Sequence, residues 1–276
     1  MKTHLTLIGL LLWSAHALAF IPPVPAVLRE VFDARRTAQG ADVVMRHQIQ
    51  TNAGMVEIEE RLVGTRTKAF VGLKIGGPAV GGFWERGSYT FSGGKKLPSR
   101  SSLLNTFFLS SSADAFRDTL IAERFLRRDQ LLQYKQGFEA KGDPTTWDLK
   151  ENYLVHPDIF LTRLPGGVGI AVVGMEEGAN RRAVYFDVAM RGIRRLEWKD
   201  GGEPVTWTLD HFAGKPSFPK RLLLERGKED LVRTEVVSCR WLKTKPLNDT
   251  IKGLKAKYPE TSLAQEDAVA QLLSYR

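Results

Sequence analysis

The sequence IRRLEWKDGGEPVTWTLDHF, residues 193–212, decides the fold. Within it Val205, Trp207 and Leu209 alternate with polar residues, which is the period of two expected when one face of a sheet is buried and the other is wet. Asp200-Gly201-Gly202 supplies residues that tolerate positive φ at a tight reversal. This stretch therefore predicts a β-hairpin.

The same pattern extends on both sides of the hairpin. A second reversal, at residues 226–230, contains Gly227. The alternation predicts five consecutive antiparallel strands, at residues 183–188, 193–199, 205–211, 220–225 and 231–242. Because no helix interrupts them, they form a meander with one buried face.

The first half of the chain combines helical and strand periods. An amphipathic helix is predicted over residues 25–39 and strands over 43–49, 55–63 and 68–75. In the second of these strands Glu60 shares its face with apolar residues. The glycine-rich segment 76–82 is expected to interrupt the sheet and to be mobile. A helix capped by Ser111 or Ser112 is expected over 114–136, between two sets of strands.

The rest of the chain returns to strands and ends in helices. Strands are predicted over 147–154, 159–164 and 168–173, before the meander begins. After Pro246 the sequence predicts a basic helix over 249–258, and a last helix opened by Ser262 and Gln265 and running to Tyr275. We find no internal repeat.

The N-terminus predicts export. Lys2 and His4 precede an apolar run over residues 5–13, and the small residues of 17–19 place signal-peptidase cleavage before Phe20. The run is too short to span a bilayer, although an uncleaved anchor or a buried helix is the alternative. We expect a periplasmic protein of a Gram-negative bacterium. The single cysteine, Cys239, allows no intramolecular disulfide, which a periplasm tolerates.

Charge and composition restrict the partners. The chain of 276 residues carries a formal net charge of +9 and is 43% hydrophobic, so it is an ordinary globular chain. A basic balance favours an acidic partner, and export argues against nucleic acid. Anionic membrane surfaces and acidic envelope proteins remain, with simple solubility as an equal explanation. We expect a monomer.

Sites for catalysis were sought without success. The glycines of 167–174 precede an apolar strand pattern instead of opening a helix, so they do not form a dinucleotide fingerprint. His47, His156 and His211 show no metal-ligand spacing, and no nucleophile elbow occurs. Asp210-His211 is explained as a solvated pair, and Glu57 and Glu59 share one wet strand face, which gives a glycosidase pair no stronger support. We expect no enzyme activity, no cofactor and no metal site.

Large aromatic residues on the predicted strands are the remaining candidates. On the inner face of a curved sheet they would line an apolar trough that binds acyl chains. The alternative for each of them is ordinary core packing. The candidate ligand-binding residues are Phe83, Trp84, Trp147, Trp198, Trp207, Phe212 and Trp241.

The order of elements resembles the outer-membrane lipoprotein-sorting family, the periplasmic LolA-like and LolB-like carriers. The matching residues are Val184-Tyr185-Phe186-Asp187, Asp200-Gly201-Gly202, Phe218-Pro219 and the strand through Trp241, with a looser match at Ser92-Gly93-Gly94-Lys95. In this family a strand ending in Asp precedes an Asp-x-Gly hairpin, and a Pro opens the penultimate long strand.

The resemblance implies an α+β fold in which a strongly curved antiparallel sheet forms a half-open β-barrel, with helices covering the concave face. We expect a signal peptide at 1–19, a half-barrel domain at 20–246 with a helical insert at 113–137, and a C-terminal helical extension at 247–276. The insert and the extension exceed the minimal pattern of the family. The expected function is a carrier or chaperone for lipid or lipoprotein acyl chains. The alternative is an envelope scaffold with a self-filled barrel that docks an acidic partner.

Overall fold

The computed structural model describes the chain over residues 24–77, 79–85, 87–91, 96–99, 101–126, 159–164, 167–173, 182–187, 192–212, 215–259 and 266–276. The predicted signal peptide and the predicted strand 147–154, with Trp147, lie outside these ranges.

One antiparallel sheet dominates the structure. Its strands are β1 (Gly40–Thr51), β2 (Gly54–Gly64), β3 (Lys68–Ile75), β4 (Ala79–Glu85), β5 (Ser88–Phe91), β6 (Lys96–Pro98), β7 (Ile159–Leu164), β8 (Gly167–Val173), β9 (Ala183–Asp187), β10 (Gly192–Asp200), β11 (Glu203–Phe212), β12 (Lys215–Arg226) and β13 (Glu229–Leu242). They lie in the order β6-β5-β4-β3-β2-β1-β13-β12-β11-β10-β9-β8-β7. Among the described residues the end strands β6 and β7 do not pair with each other, so the sheet is open.

The sheet is strongly curved. Trp207 on β11 donates its Nε1–H to the Tyr275 carbonyl at 3.0 Å, and the Trp198 ring on β10 lies 6.4 Å from the Tyr275 ring. The next residue, Arg276, accepts a hydrogen bond from the Ser99 hydroxyl, directly after β6. In a flat sheet β6 and β10 would lie about 43 Å apart, at about 4.8 Å for each of nine strand spacings. Two consecutive residues reach both regions only because the sheet curls around them.

Five helices are described, and they lie on both faces of the sheet. They are α1 (Val24–Asp33), α2 (Leu103–Leu109), α3 (Ala113–Ala122), α4 (Thr244–Lys257) and α5 (Glu266–Ser274). The buried residues of α1, α2, α3 and α5 belong to the main apolar core on the concave, inner face. Helix α4 packs on the outer face in a smaller cluster. The predicted α+β fold, a half-open curved sheet with helices over its concave face, is confirmed.

The five predicted strands of the meander are confirmed, and the differences fall mainly on helices. Helix α1 ends at Asp33, not Gln39, because a turn follows in which the Ala38 amide donates to the Arg35 carbonyl at 3.0 Å. Ser112 caps α3 by accepting from the Ala115 amide, as predicted. Helix α3 ends at Ala122, before Arg124 adopts a φ of 62°; residues beyond 126 of the predicted helix lie outside the described ranges.

Two segments differ from their predictions. In the glycine-rich segment, Gly76 and Gly77 turn the chain with φ of 60° and 118°, and β4 begins at Ala79, so residues 79–82 belong to the sheet. Helix α4 includes Pro246 in its first turn, where a missing backbone N–H costs no intrahelical bond. Helix α2 had no sequence prediction.

Glycines let α4 dock tightly on the outer face. A Cβ at Gly81 would lie 2.5 Å from the Tyr258 carbonyl oxygen, so this β4 position admits no side chain. We expect Gly81→Ala to lower the free energy of unfolding by about 1–3 kcal/mol through overpacking. Gly253 lies in α4 with nothing within 4 Å of its Cβ position, and Gly253→Ala should stabilise by about 0.5–1 kcal/mol. Urea unfolding of both variants checks the pair; equal effects would contradict the docking.

Candidate functional site: the inner face of the sheet

Three of the candidate tryptophans lie together on the inner face. Trp84, Trp198 and Trp207 are buried, and all three belong to one contiguous apolar core with the inner-face residues of the other strands. Trp241, near the end of β13, is half-buried and packs against the same core. The structure therefore brings four of the candidate aromatics to one face of the sheet.

Phe83 lies on the opposite face and is a correction to the predicted set. Successive residues of a strand point to opposite faces, so Phe83 and Trp84 cannot line the same trough. The Phe83 ring packs against Phe70 at 5.6 Å, in the outer cluster beneath α4, with Lys255 5.0 Å above it. Trp147 and the side chain of Phe212 lie outside the described part of the chain.

Helices α1, α2 and α3, here called the helical cover, close part of the inner face. Phe32 of α1 contacts Phe107 of α2 at 6.2 Å and Phe116 of α3 at 5.2 Å, and the last two rings are 5.8 Å apart. Each helix thus contributes one ring to a shared aromatic contact. These rings join the three helices to one another and also belong to the apolar core that includes the sheet.

Arg35, in the turn after α1, lies within the helical cover with 1% of its surface exposed. Its Nη1 donates to the Phe107 carbonyl at 2.5 Å, and its guanidinium lies over the rings of Phe32, Phe107 and Trp241 at 4.0, 4.7 and 4.8 Å. Burial lowers the pKa of Arg35 to about 9, so the side chain remains a cation at neutral pH.

A second set of buried polar side chains, the buried polar centre, joins α5 to the sheet. It consists of His47, Glu60, Asn105 and Arg276. One oxygen of Glu60, Oε2, accepts from His47 Nε2 at 2.9 Å and from Arg276 Nη1, and Arg276 Nη2 donates to Asn105 at 3.1 Å. The other ring nitrogen of His47 lies 2.8 Å from the Thr234 hydroxyl. These bonds link β1, β2 and α2 through Arg276, the second residue after α5.

Burial and pairing set the protonation of the buried polar centre. Burial lowers the pKa of His47 despite its bond to Glu60, so the imidazole is neutral near pH 7. For Glu60 burial alone would raise the pKa, but the charge of Arg276 and the His47 bond outweigh it and the pKa lies below its usual range. The centre therefore holds one ion pair, Glu60 with Arg276, and a neutral imidazole.

Acidification is expected to destabilise the fold through His47. The unfolded imidazole takes a proton near pH 6.5 and the folded one only at lower pH, so below that value the unfolded state binds more protons and stability falls. Below about pH 4.5 protonation of Glu60 in the unfolded chain adds to this loss. Urea unfolding should show a decline between about pH 7 and 5 that is reduced in His47→Gln. An unchanged decline in the variant would contradict this assignment.

The outer face carries a broad depression that is separate from the aromatic site. Its volume is about 1320 Å³, and its walls come from β1, β2, β3, β11, β12 and β13. Both basic and acidic side chains line it. For example, Arg46 of β1 lies 3.8 Å from Glu59 of β2 in an exposed ion pair. Four basic and five acidic residues line this surface, and no Phe, Trp or Tyr does.

Two histidines of the predicted mature chain lie among the described residues. His47 belongs to the buried polar centre, and His211 Nε2 lies 2.6 Å from the Ile193 carbonyl. His156 is outside the described ranges. In the portion of the chain that the structure describes, no three His, Cys, Asp or Glu side chains form a metal-binding group, and none of the helices has the length and apolar character needed to cross a bilayer.

Comparison with known proteins gives a likeness in structure alone. No protein-family model and no curated protein matches the chain. A LolA superfamily protein from Nitrosomonas europaea matches with 10% identity and a TM-score of 0.44, covering 84% of this chain and 97% of its own. A domain assigned to outer membrane lipoprotein-sorting proteins from Vibrio parahaemolyticus matches with 10% identity and a TM-score of 0.41, covering 82% and 97%.

A third solved structure, a DUF1329 family protein from Desulfovibrio piger, matches with 9% identity and a TM-score of 0.38, covering 80% of this chain and 94% of its own. Two of these three structures carry names from the lipoprotein-sorting family that the sequence resembles.

The residues that sequence reasoning missed are Arg35 and Arg276. Arg35 falls within the predicted helix over 25–39, but α1 ends before it and the side chain is buried. Arg276 carries no pattern that distinguishes it from a surface arginine. Glu60 gave the one usable signal, because it shares a strand face with Ile58 and Leu62, both buried.

Proposed function

We propose that this protein is a non-catalytic carrier for the acyl chains of lipids or lipoproteins, working in the periplasm of a Gram-negative bacterium. The chains would bind on the inner face of the sheet, against Trp84, Trp198 and Trp207, in place of part of the helical cover. The half-barrel domain, its helical insert and the signal peptide keep the boundaries given by the sequence.

The observation that carries this proposal is the construction of the helical cover. The rings of Phe32, Phe107 and Phe116 hold α1, α2 and α3 to one another, while the sheet beneath presents a continuous apolar face. A cover with its own contacts can move off the sheet as a unit and leave an apolar surface behind. Such a surface suits acyl chains, because the free energy falls by about 0.8 kcal/mol for each methylene group removed from water.

Quenching of tryptophan fluorescence by dibromostearate tests where a chain binds. Bromine quenches indoles in contact with it, so the inner tryptophans should be quenched at saturation, and Trp207→Phe should reduce the quenched fraction. Phe83→Trp places an added indole on the outer face, and its emission should persist. Stearate without bromine is the control for conformational effects. No quenching, or quenching confined to the added indole, would overturn the proposal.

A second candidate, an envelope scaffold, is favoured by α4. This helix buries Leu247 and Leu254 against the sheet and leaves its lysines exposed, at Lys245, Lys252, Lys255 and Lys257. Tyr258 packs over Gly72 and Gly81, which fixes the helix on the outer face. A rigid basic surface suits an acidic partner, and a carrier could use the same surface to approach anionic lipid headgroups.

Sedimentation with phosphatidylcholine vesicles, with and without phosphatidylglycerol, tests the basic face of α4. The double variant Lys252→Glu, Lys257→Glu should lose binding to the anionic vesicles. The control, Lys199→Glu with Lys228→Glu, changes the net charge equally at exposed sites away from α4. Equal loss in both variants would show that net charge alone matters. A folded protein that shows no dibromostearate quenching supports the scaffold.

A further inference from the structure

We propose that Arg35 binds the anionic group, a carboxylate or a phosphate, of the amphiphile whose chain lies on the inner face. The inference rests on the proposed carrier function and adds the chemical class of the ligand's polar end. It assigns to Arg35 a role that ordinary core packing does not explain.

The buried guanidinium of Arg35 has no counter-ion among the described residues. An ion buried without a partner costs several kcal/mol, so buried cations are normally paired with carboxylates. The other fully buried arginine, Arg276, follows that rule by pairing with Glu60. Among the described residues no carboxylate lies within ion-pair distance of Arg35, which has the Phe107 carbonyl as its hydrogen-bond acceptor.

Cys239 does not supply the missing charge. It is the ionisable group that acts electrostatically on Arg35. Burial raises the pKa of the Cys239 thiol far above neutrality, and the nearby Arg35 charge does not offset this. The thiol is therefore uncharged at pH 7, and the guanidinium keeps its full charge without an anion beside it.

One edge of the Arg35 guanidinium makes no hydrogen bond to the described residues. Nε and Nη2 of Arg35 are buried and have no hydrogen-bond partner among the described residues. The same two atoms of Arg61 hold both carboxylate oxygens of Asp42, each at 2.8 Å. This edge of an arginine is a fork that fits a carboxylate or phosphate with two parallel bonds. In Arg35 the fork is empty of protein acceptors.

Arg35 lies beside the main apolar core. Phe32 and Phe107, which stack on the guanidinium, are members of the main apolar core, so a chain attached to an anion at Arg35 continues directly onto the inner face. The third ring, Trp241, is half-buried and is the most exposed of the three rings. An amphiphile with its charge at Arg35 and its chain inward matches this gradient from polar to apolar.

Competition against dibromostearate by dodecanoate, dodecyl phosphate and dodecanol at pH 8 tests the inference. The three share one chain length and differ in the polar group. We expect one or both anions to bind at least about tenfold more tightly than the alcohol, a difference of about 1.4 kcal/mol. The stronger of the two anions identifies the headgroup chemistry.

Variants at Arg35 and its neighbour complete the test. Arg35→Met should abolish the preference for the anion while leaving dodecanol binding in place, and Arg35→Lys should keep part of it, because the charge remains and the fork is lost. Arg36→Met, at an exposed neighbouring arginine, should change nothing. If Arg35→Met does not fold, the wild-type comparison and Arg35→Lys still decide.

The outcomes separate this inference from the carrier proposal. Equal affinity for anions and alcohol in the wild type, or a preference that persists in Arg35→Met, overturns the anion site and leaves the carrier intact. If none of the three competes and dibromostearate itself does not bind, the carrier function falls and the anion site falls with it.

Discussion

Replacing Glu60 with alanine is expected to lower the free energy of unfolding by about 3–5 kcal/mol, because it leaves the Arg276 cation buried without its partner. Both side chains are almost fully inaccessible, and the ion pair joins β2 to the second residue after α5. His47 loses its hydrogen-bond partner in the same change. Urea unfolding monitored by circular dichroism gives the difference directly.

Glu59 is the matched control for Glu60. It is the next residue on the same strand, points to the outer face and forms an exposed pair with Arg46, so Glu59→Ala should cost less than about 1 kcal/mol. The double variant Glu60→Met, Arg276→Met removes both charges together and should recover much of the loss. Equal effects at positions 59 and 60 would contradict the assignment of faces on β2.

Replacing Trp84 with alanine is the second change with a large expected effect, a loss of about 3–5 kcal/mol in the free energy of unfolding. Trp84 has 1% of its surface exposed and lies in the main core, so its removal leaves a cavity that the curved sheet cannot close. Calorimetry or urea unfolding measures the loss.

Phe83→Ala is the control for Trp84 on the adjacent position of β4. The Phe83 ring is half-buried under α4, so its removal should cost less than the Trp84 change, about 1–2 kcal/mol. Amide hydrogen exchange should become faster in α4 for the Phe83 variant, and faster beneath the helical cover for the Trp84 variant. A reversed order of the two losses would refute the placement of Trp84 inside.

The strands could be predicted from the sequence because alternation is a local signal. Val205, Trp207 and Leu209 show the buried parity directly, and all three are inner-face residues in the structure. The glycine-rich turn was misjudged for a physical reason. Gly81 is needed for the close approach of Tyr258 from a helix far along the chain, and nothing local reveals that contact.

The candidate site was only partly predictable from the sequence. Large aromatics on strands indicated the inner tryptophans, and the parity of β4 separates Phe83 from Trp84, since adjacent strand residues point to opposite faces. Arg35 and Arg276 could not be found, since a buried arginine has the same local sequence as an exposed one. Their environment is created by α2, β13 and α5, which are distant in the chain.

The most direct test of the carrier proposal is native mass spectrometry of the protein purified without detergent, followed by organic extraction. We expect a discrete added mass that extracts as an acyl-containing amphiphile with an anionic group. A neutral lipid would retain the carrier and contradict the role of Arg35. A protein of bare polypeptide mass, which also takes up no dibromostearate, would contradict the carrier itself.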